Sequence, residues 1–369
     1  MPHSNASAKS PRPSPQSLAH ARVLAHLHQD LLPFGWSLSG WKDSSVSPAD
    51  GSTSSKEDRV GDLMLHLPKD EQALLLNWQD DFEHRYASLS PQHRSASELL
   101  HLAHEEPESF WGQLMESCRL AALGLFFEVD EATLIAEAWI RSSSRRGRLD
   151  TASWPDLWED FTTLPRPQPT HSLPALGLYP VLPDAQWVQR MVDVGVPTVQ
   201  LRFKSDDHQA IEREVRAAVR ATESSKTRLF INDHWESAME HGAYGLHLGQ
   251  EDFEVAPMEK IRQSSCVLGL STHGYIEMLN AAKHAPGYLA LGAVFPTTLK
   301  QMKTKPQGLG RLKAYAALMN QFSLVAIGGI DESQFKSVQA CGVGSIAVVR
   351  AIVAHPQAEI QAQHLMTYF

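Results

Sequence analysis

Two short apolar runs in this chain end on groups able to hold a cation. "RLFIN" closes on Asn232 and Asp233, and "GLHLG" closes on Gln250, Glu251 and Asp252. A third run, "TVQLRFK", puts Gln200, Arg202 and Lys204 at alternate positions, which share one face of an extended chain. Carboxylates beside cations and an amide can hold a divalent metal together with a polyphosphate. Magnesium suits such a set, because it takes few protein carboxylates and completes its octahedron with water and substrate phosphate oxygens. Taken singly, each aspartate reads equally well as the N-cap of the helix that follows it. Two of them on successive runs, with more polar ends around them, favour the metal.

Further runs end in the same manner. "VLGLST" leads into Ser271, Thr272 and His273, a triplet that on its own is an ordinary helix cap. "YLALGAV" leads into "FPTTLKQMKTKPQGL", with two hydroxyls and Lys300 in a long polar loop. "SLVAIGGI" ends on Gly328-Gly329, which lets backbone approach a ligand closely or simply makes a tight turn. "SIAVVRA" ends on Val349-Arg350.

The elements that must position these groups follow from their rhythm. From Gly177 onward, eight apolar, β-branched runs alternate with amphipathic stretches such as "AIEREVRAAVRAT". Runs without polar alternation are those of parallel strands buried on both faces. Eight such units in this length predict a closed (β/α)8 TIM barrel, with a doubly wound open sheet as the alternative. Catalytic groups of such barrels sit where strands end, and that is where the polar residues fall. The loops after strands seven and eight are the usual place for a phosphate, held by amides at a helix start. The mouth then offers two anion regions: a pyrophosphate region at Arg202, Lys204 and Lys300 with metal on Asp233 and Asp252, and a monophosphate region at Gly329, Val349 and Arg350.

The chain has 369 residues, enough for two domains, and it changes character before the barrel. Residues 1–17 are rich in proline and serine and read as a disordered tail. Residues 18–161 carry apolar residues at helical spacing and read as a mostly helical domain, and residues 162–176 hold a proline-rich linker to the barrel at 177–369. A net charge of −9 with no basic run argues against nucleic acid as a partner. Three scattered cysteines form no zinc or disulfide framework, no apolar run reaches membrane-span length, and no hydrophobic leader opens the chain. A cytoplasmic protein is expected, acting on phosphorylated small molecules; a homo-oligomer is compatible with the sequence.

The barrel residues resemble the thiamine phosphate synthase family. The motifs "GLYPV", "QLRxK", "INDxW", "YGLHLGQED", "LGLSTH", "VFPT…KQM…PQGL", "VAIGGI" and "GSIAVV" occur in the family's order. The resemblance implies an enzyme joining hydroxymethylpyrimidine diphosphate to a thiazole phosphate with release of pyrophosphate. It implies magnesium on Asp233 and Asp252, and the pyrimidine diphosphate on Gln200, Leu201, Arg202, Phe203, Lys204, Asn232, Ser271 and Lys300. Of these, Arg202, Lys204 and Lys300 would neutralise the leaving charge. It implies the thiazole phosphate on Thr297, Thr298, Leu299, Gly329, Val349 and Arg350. Two positions depart from the family pattern: Leu299 stands where "PTxTK" has threonine, and Arg350 stands where "VVS" has serine. Both lie on the thiazole side. A thiazole tautomerase-like isomerase and a noncatalytic sensor of a thiamine intermediate are the alternatives, the first disfavoured by the retained diphosphate groups.

In the first domain, "SCRLAALGLFFEVDEATLIAEAWI" is similar to the last helices of hydroxymethylpyrimidine phosphate kinases, which are sometimes fused to this synthase. Their glycine-rich phosphate motif is missing, "FWGQLMES" standing in its place, so a docking or stabilising domain is expected rather than a kinase.

Overall fold

The computed structural model describes Ala21 and residues 95–125, 127–147, 154–169, 173–297 and 304–369. The expected tail, the helical pattern before Ser95, and Thr298, Leu299 and Lys300 lie outside the described residues. The chain divides into two compact units, the second running from Pro165 to Phe369.

In the first unit, α1 (Ala96–Glu105) starts at a reciprocal cap: Glu98 N–H donates to Ser95 Oγ, and Ser95 N–H donates to the Glu98 carboxylate at 2.7 Å. It is followed by α2 (Phe110–Gly124), α3 (Val129–Arg146) and the single turn α4 (Trp158–Phe161). Trp139 and Trp158 are buried among these helices. Arg145 clasps the buried Asp160 carboxylate with two nitrogens, Nε donating to one oxygen at 3.2 Å and Nη2 to the other at 3.0 Å, a fork that only guanidinium supplies. "FWGQLMES" lies within α2, where Ser109 Oγ accepts from Gly112 N–H at 3.1 Å. Gly112 is needed because a Cβ there would sit 2.5 Å from the Glu106 and Pro107 carbonyls. The segment is a capped helix start rather than a glycine-rich phosphate loop.

The second unit is a closed barrel of eight parallel strands in sequential order. The strands and helices run β1 (Gly177–Leu182), α5 (Ala185–Asp193), β2 (Thr198–Leu201), α6 (His208–Thr222), β3 (Arg228–Asn232), α7 (Trp235–Glu240) and β4 (Gly245–Leu248). They continue with α8 (Gln250–Val255), α9 (Met258–Gln263), β5 (Val267–Thr272), α10 (Tyr275–Ala282), β6 (Tyr288–Gly292) and α11 (Gly308–Leu318). β7 (Ser323–Ile327), α12 (Phe335–Gln339), β8 (Ser345–Val348), α13 (Arg350–Val353) and α14 (Ala358–Met366) complete it. Closure is direct: β1 pairs with β8, Leu178 opposite Ile346.

Tyr179, Phe230 and Tyr288 fill the interior with Val181, Val267, Ala290, Val325 and Ala347, their rings 5.1–5.9 Å apart. At the N-terminal opening, residues 173–176 are bonded into the barrel: Ser323 Oγ donates to Leu173 O, Thr198 Oγ1 to Leu176 O, and Leu176 N–H to Ser345 Oγ. The C-terminal opening is left for the site.

One loop anchor there is unusual. Arg311, 1% exposed, turns back from α11 to donate to the carbonyls of Gln307 at 2.9 Å, Lys305 at 3.2 Å and Pro306. Gln307 in turn donates through its amide to His273 O at 3.1 Å and Gly292 O at 3.2 Å. Together they moor the end of the β6–α11 connection to β5 and β6. Arg311→Met keeps the volume but strands buried carbonyls, and is expected to cost about 3 kcal/mol by urea unfolding. A loss below about 1 kcal/mol would show that the carbonyls find other donors.

Candidate active site

The paired aspartates meet at the barrel mouth, and neither is a helix cap. α7 is capped by His234 and α8 by Gly249. Asp233 instead adopts a left-handed conformation, φ 64°, with its N–H donating to His247 O at 3.0 Å. A non-glycine residue held in this region by its surroundings is a frequent mark of a functional site, and aspartate tolerates it better than most. Asp252 lies in the first turn of α8, its carboxylate folded back toward Gly249.

The two carboxyl groups are hydrogen-bonded to one another, and the Asp233 carboxyl is pushed up from 3.8 to about 6. Burial is the main cause, followed by the Asp252 charge and the bond between them; Arg202 and His234 pull the other way. Like charges are thus forced together beside a guanidinium.

The raised value has a thermodynamic consequence. The folded chain holds a proton on Asp233 that the unfolded chain gives up near 3.8, so this group stabilises the fold fully below that value. The contribution disappears as pH rises through about 6. Without divalent cation, Tm should therefore fall between about pH 5 and about pH 7 by more in the wild type than in Asp233→Asn. Parallel Tm–pH curves for the two proteins would refute this.

The residues around the pair come from neighbouring strands. β2 stops at Leu201, so the alternation expected for Gln200, Arg202 and Lys204 does not continue along a strand. Arg202 N–H adds one last bond to Leu182 O at 2.8 Å, after which Phe203 and Lys204 belong to a loop. His234 clamps that loop, its Nε2 lying 3.0 Å from Phe203 O. Gln200 is buried, inside the barrel rather than on its rim, and Asn232 is buried at the end of β3. Arg202 faces Asp233 closely enough to act on its carboxyl. Lys204 is exposed.

Ser271 is likewise no helix cap: it lies in β5, and Gly274 caps α10. Its Oγ is 2.8 Å from His247 Nε2, and Gln250 donates to its carbonyl at 2.5 Å. Thr272 Oγ1 donates to Ala290 O, which leaves it a structural part.

Gly328 and Gly329 have φ of 99° and 68°. A Cβ on Gly329 would lie 2.6 Å from Pro296 O and 2.7 Å from Phe295 O. Their requirement is therefore the close passage of the chain after β6, beyond the turn or ligand approach that the sequence allows. Thr297 follows directly on that chain. Val349 caps the one-turn helix α13, whose first residue, Arg350, is exposed. Lys300, Thr298 and Leu299 are outside the described residues.

Tyr179, His247 and Tyr288 are the site-supporting residues that sequence reasoning missed. A histidine inside the apolar run "GLHLG" and a glycine inside "VLGLST" were the available signals.

Fold and mouth define a (β/α)8 barrel of the enzyme class, with a cation-flanked carboxylate pair where such barrels carry their chemistry. The family model described as thiamine monophosphate synthase matches residues 179–352. Thiamine-phosphate synthase from Neisseria meningitidis (serogroup A strain Z2491) is 48% identical over 51% of this chain and 92% of its own length. The Proteus mirabilis thiamine-phosphate synthase is 46% identical over 48% of this chain and 82% of its own. A solved thiamine phosphate pyrophosphorylase from Pyrococcus furiosus is 25% identical, covering 52% of this chain and 95% of that one with a TM-score of 0.46. The chain belongs to the thiamine-phosphate synthase family through its second unit.

Proposed function

We propose that the barrel condenses 4-amino-2-methyl-5-hydroxymethylpyrimidine diphosphate with 4-methyl-5-(2-phosphoethyl)thiazole to give thiamine phosphate and pyrophosphate. The observation that carries this for the site is the contact of the Asp233 and Asp252 carboxyls beside Arg202. An isomerase acting on a thiazole phosphate would leave that assembly without a task.

Among the described residues no three His, Cys, Asp or Glu side chains gather as a metal set; the two carboxyls are the donors proposed for the cation. It fits magnesium, which needs only one or two carboxylates when phosphate oxygens and water supply the rest. Bound there, the ion would offset the negative charge that builds on the departing diphosphate.

The chain's own residues do the remainder. Arg202, Lys204 and Lys300 receive the diphosphate and stabilise charge as the carbon–oxygen bond breaks and its electron pair leaves with pyrophosphate. The pyrimidine-methyl cation is stabilised by its own ring, and the thiazole nitrogen donates its lone pair to close the carbon–nitrogen bond. Gln200, Leu201, Phe203, Asn232 and Ser271 hold the pyrimidine substrate. Thr297, Thr298, Leu299, Gly329, Val349 and Arg350 hold the thiazole phosphate. Correct placement of the two substrates supplies much of the acceleration, and no side-chain nucleophile is required.

The division at Leu164 supports a separate first domain, for which a docking or stabilising role is proposed. A cytoplasmic location is proposed too; among the described residues no helix is long and apolar enough to cross a membrane.

The test is to supply both precursors with and without magnesium and to measure thiamine phosphate and pyrophosphate. Equal, metal-dependent formation of both is expected. Pyrophosphate without thiamine phosphate, or neither product, would overturn the reading.

A further inference from the structure

A chain of buried polar groups crosses the barrel interior and ends at Ser271. Gln200 Nε2 donates to Tyr179 Oη at 3.1 Å; Tyr179 Oη is 2.9 Å from Tyr288 Oη; Tyr288 Oη is 2.7 Å from His247 Nδ1; and His247 Nε2 is 2.8 Å from Ser271 Oγ. Five strands contribute one residue each. Tyr179, Gln200, His247 and Tyr288 are all buried. The imidazole stacks on the Tyr288 ring, 5.6 Å between centroids and 13° between planes. Space for that ring exists because Gly269, paired with both His247 and Tyr288 in the sheet, has no side chain.

Counting protons gives the chain a direction. An amide NH₂ only donates, so Tyr179 accepts from Gln200, and its own proton goes to Tyr288, because the reverse would leave the buried Tyr179 O–H without an acceptor among the described residues. Tyr288 is then left to donate to His247 Nδ1. Nδ1 is an acceptor, so the proton of the ring sits on Nε2 and points at Ser271 Oγ. Burial holds both phenols well above their usual pKa, so they stay protonated and the count is kept.

We propose that this chain fixes His247 as its Nε2–H tautomer, donating to Ser271 Oγ, and thereby turns the Ser271 hydroxyl proton out to the barrel mouth as a donor to the diphosphate. His247 and Tyr288 are positioning residues that touch no substrate. The functional half rests on the reading that Ser271 meets the pyrimidine diphosphate; the tautomer does not. The opposite direction would need the Gln200 amide turned over, its oxygen accepting from Tyr179, and would have Ser271 donate its proton to His247 Nε2, leaving the mouth only a lone pair where a phosphate oxygen needs a donor.

The test uses the full chain with ¹⁵N-labelled histidine. Long-range ¹H–¹⁵N correlation, with His247 assigned through His247→Gln, is expected to show an unprotonated Nδ1 and a protonated Nε2. A protonated Nδ1, with or without Nε2–H, overturns the proposal. Turnover then reads the consequence. Tyr288→Phe is expected to lower kcat/KM for the diphosphate about tenfold in the wild type and less than about twofold in a Ser271→Ala background. Equal losses in the two backgrounds would show that Tyr288 acts on stability or elsewhere, and would overturn the positioning role. A protein with the expected His247 signature that forms no thiamine phosphate contradicts the synthase reading while the tautomer assignment stands.

Discussion

Asp233→Ala should lower kcat/KM for thiamine phosphate formation by about a thousandfold, equivalent to about 4 kcal/mol of transition-state stabilisation. The argument has two parts, because Asp233 does two things. Its backbone sits at φ 64° with the N–H bonded to His247 O, a conformation that alanine resists. Its carboxyl meets that of Asp252 beside Arg202, where a cation would take the place of the shared proton. Asp233→Asn separates the two, since asparagine accepts the left-handed conformation but carries no charge. If the carboxylate matters for catalysis, the asparagine and alanine variants lose activity alike, and raising magnesium restores neither. Near-wild-type turnover in Asp233→Asn would reduce the residue to a turn former. The measurement is pyrophosphate release under saturating thiazole phosphate, with circular dichroism to show that the barrel stays folded.

Strands were legible because burial on both faces leaves a plain mark. "GLYPVL", "VLGLST" and "SIAV" are strands over their whole length, and the polar residues ending such runs lie at the mouth. "TVQLRFK" shows the limit of the pattern. Alternation placed three polar residues on one face, but the strand stops at Leu201 because the next residues leave the ladder for the mouth. Whether Gln200 faces substrate or interior depends on how far each strand is shifted along its neighbour, and no single strand records that shift. The same holds for Tyr288, the first residue of β6, whose hydroxyl meets His247 from β4 and Tyr179 from β1. Aromatic and histidine residues inside apolar runs look like core when each run is read alone. Their polar ends find one another only once the barrel closes. The capping alternative is settled by position: Asp233, Asp252 and Ser271 are good capping residues by type, but His234, Gly249 and Gly274 occupy the capping positions.

Gly269→Ala should be the most destabilising single-methyl change in the barrel interior, costing more than about 3 kcal/mol or preventing soluble accumulation altogether. Its backbone is ordinary strand, so the cost comes from space alone. A Cβ there would lie 2.1 Å from Tyr288 Cζ and 2.2 Å from Cε1, far inside contact distance. The ring cannot retreat: Phe230 stands edge-on at 5.1 Å, Tyr179 at 5.9 Å and His247 at 5.6 Å, and Tyr288 is fully buried. Gly195→Ala is the matching comparison. That glycine has φ 78° with nothing within 4 Å of a built Cβ, so it pays for conformation and not for space, about 1 kcal/mol. Urea midpoints should therefore rank wild type, Gly195→Ala, Gly269→Ala in falling order. Adding Tyr288→Leu to Gly269→Ala should recover part of the loss, because the smaller side chain vacates the volume the methyl needs. Tyr288→Phe should recover little, because it removes only the hydroxyl contact at 2.5 Å and leaves the ring carbons at 2.1 and 2.2 Å. An alanine at 269 that matches the alanine at 195 in stability would mean that β5 and β6 can slide apart, and that the interior is looser than the ring contacts make it.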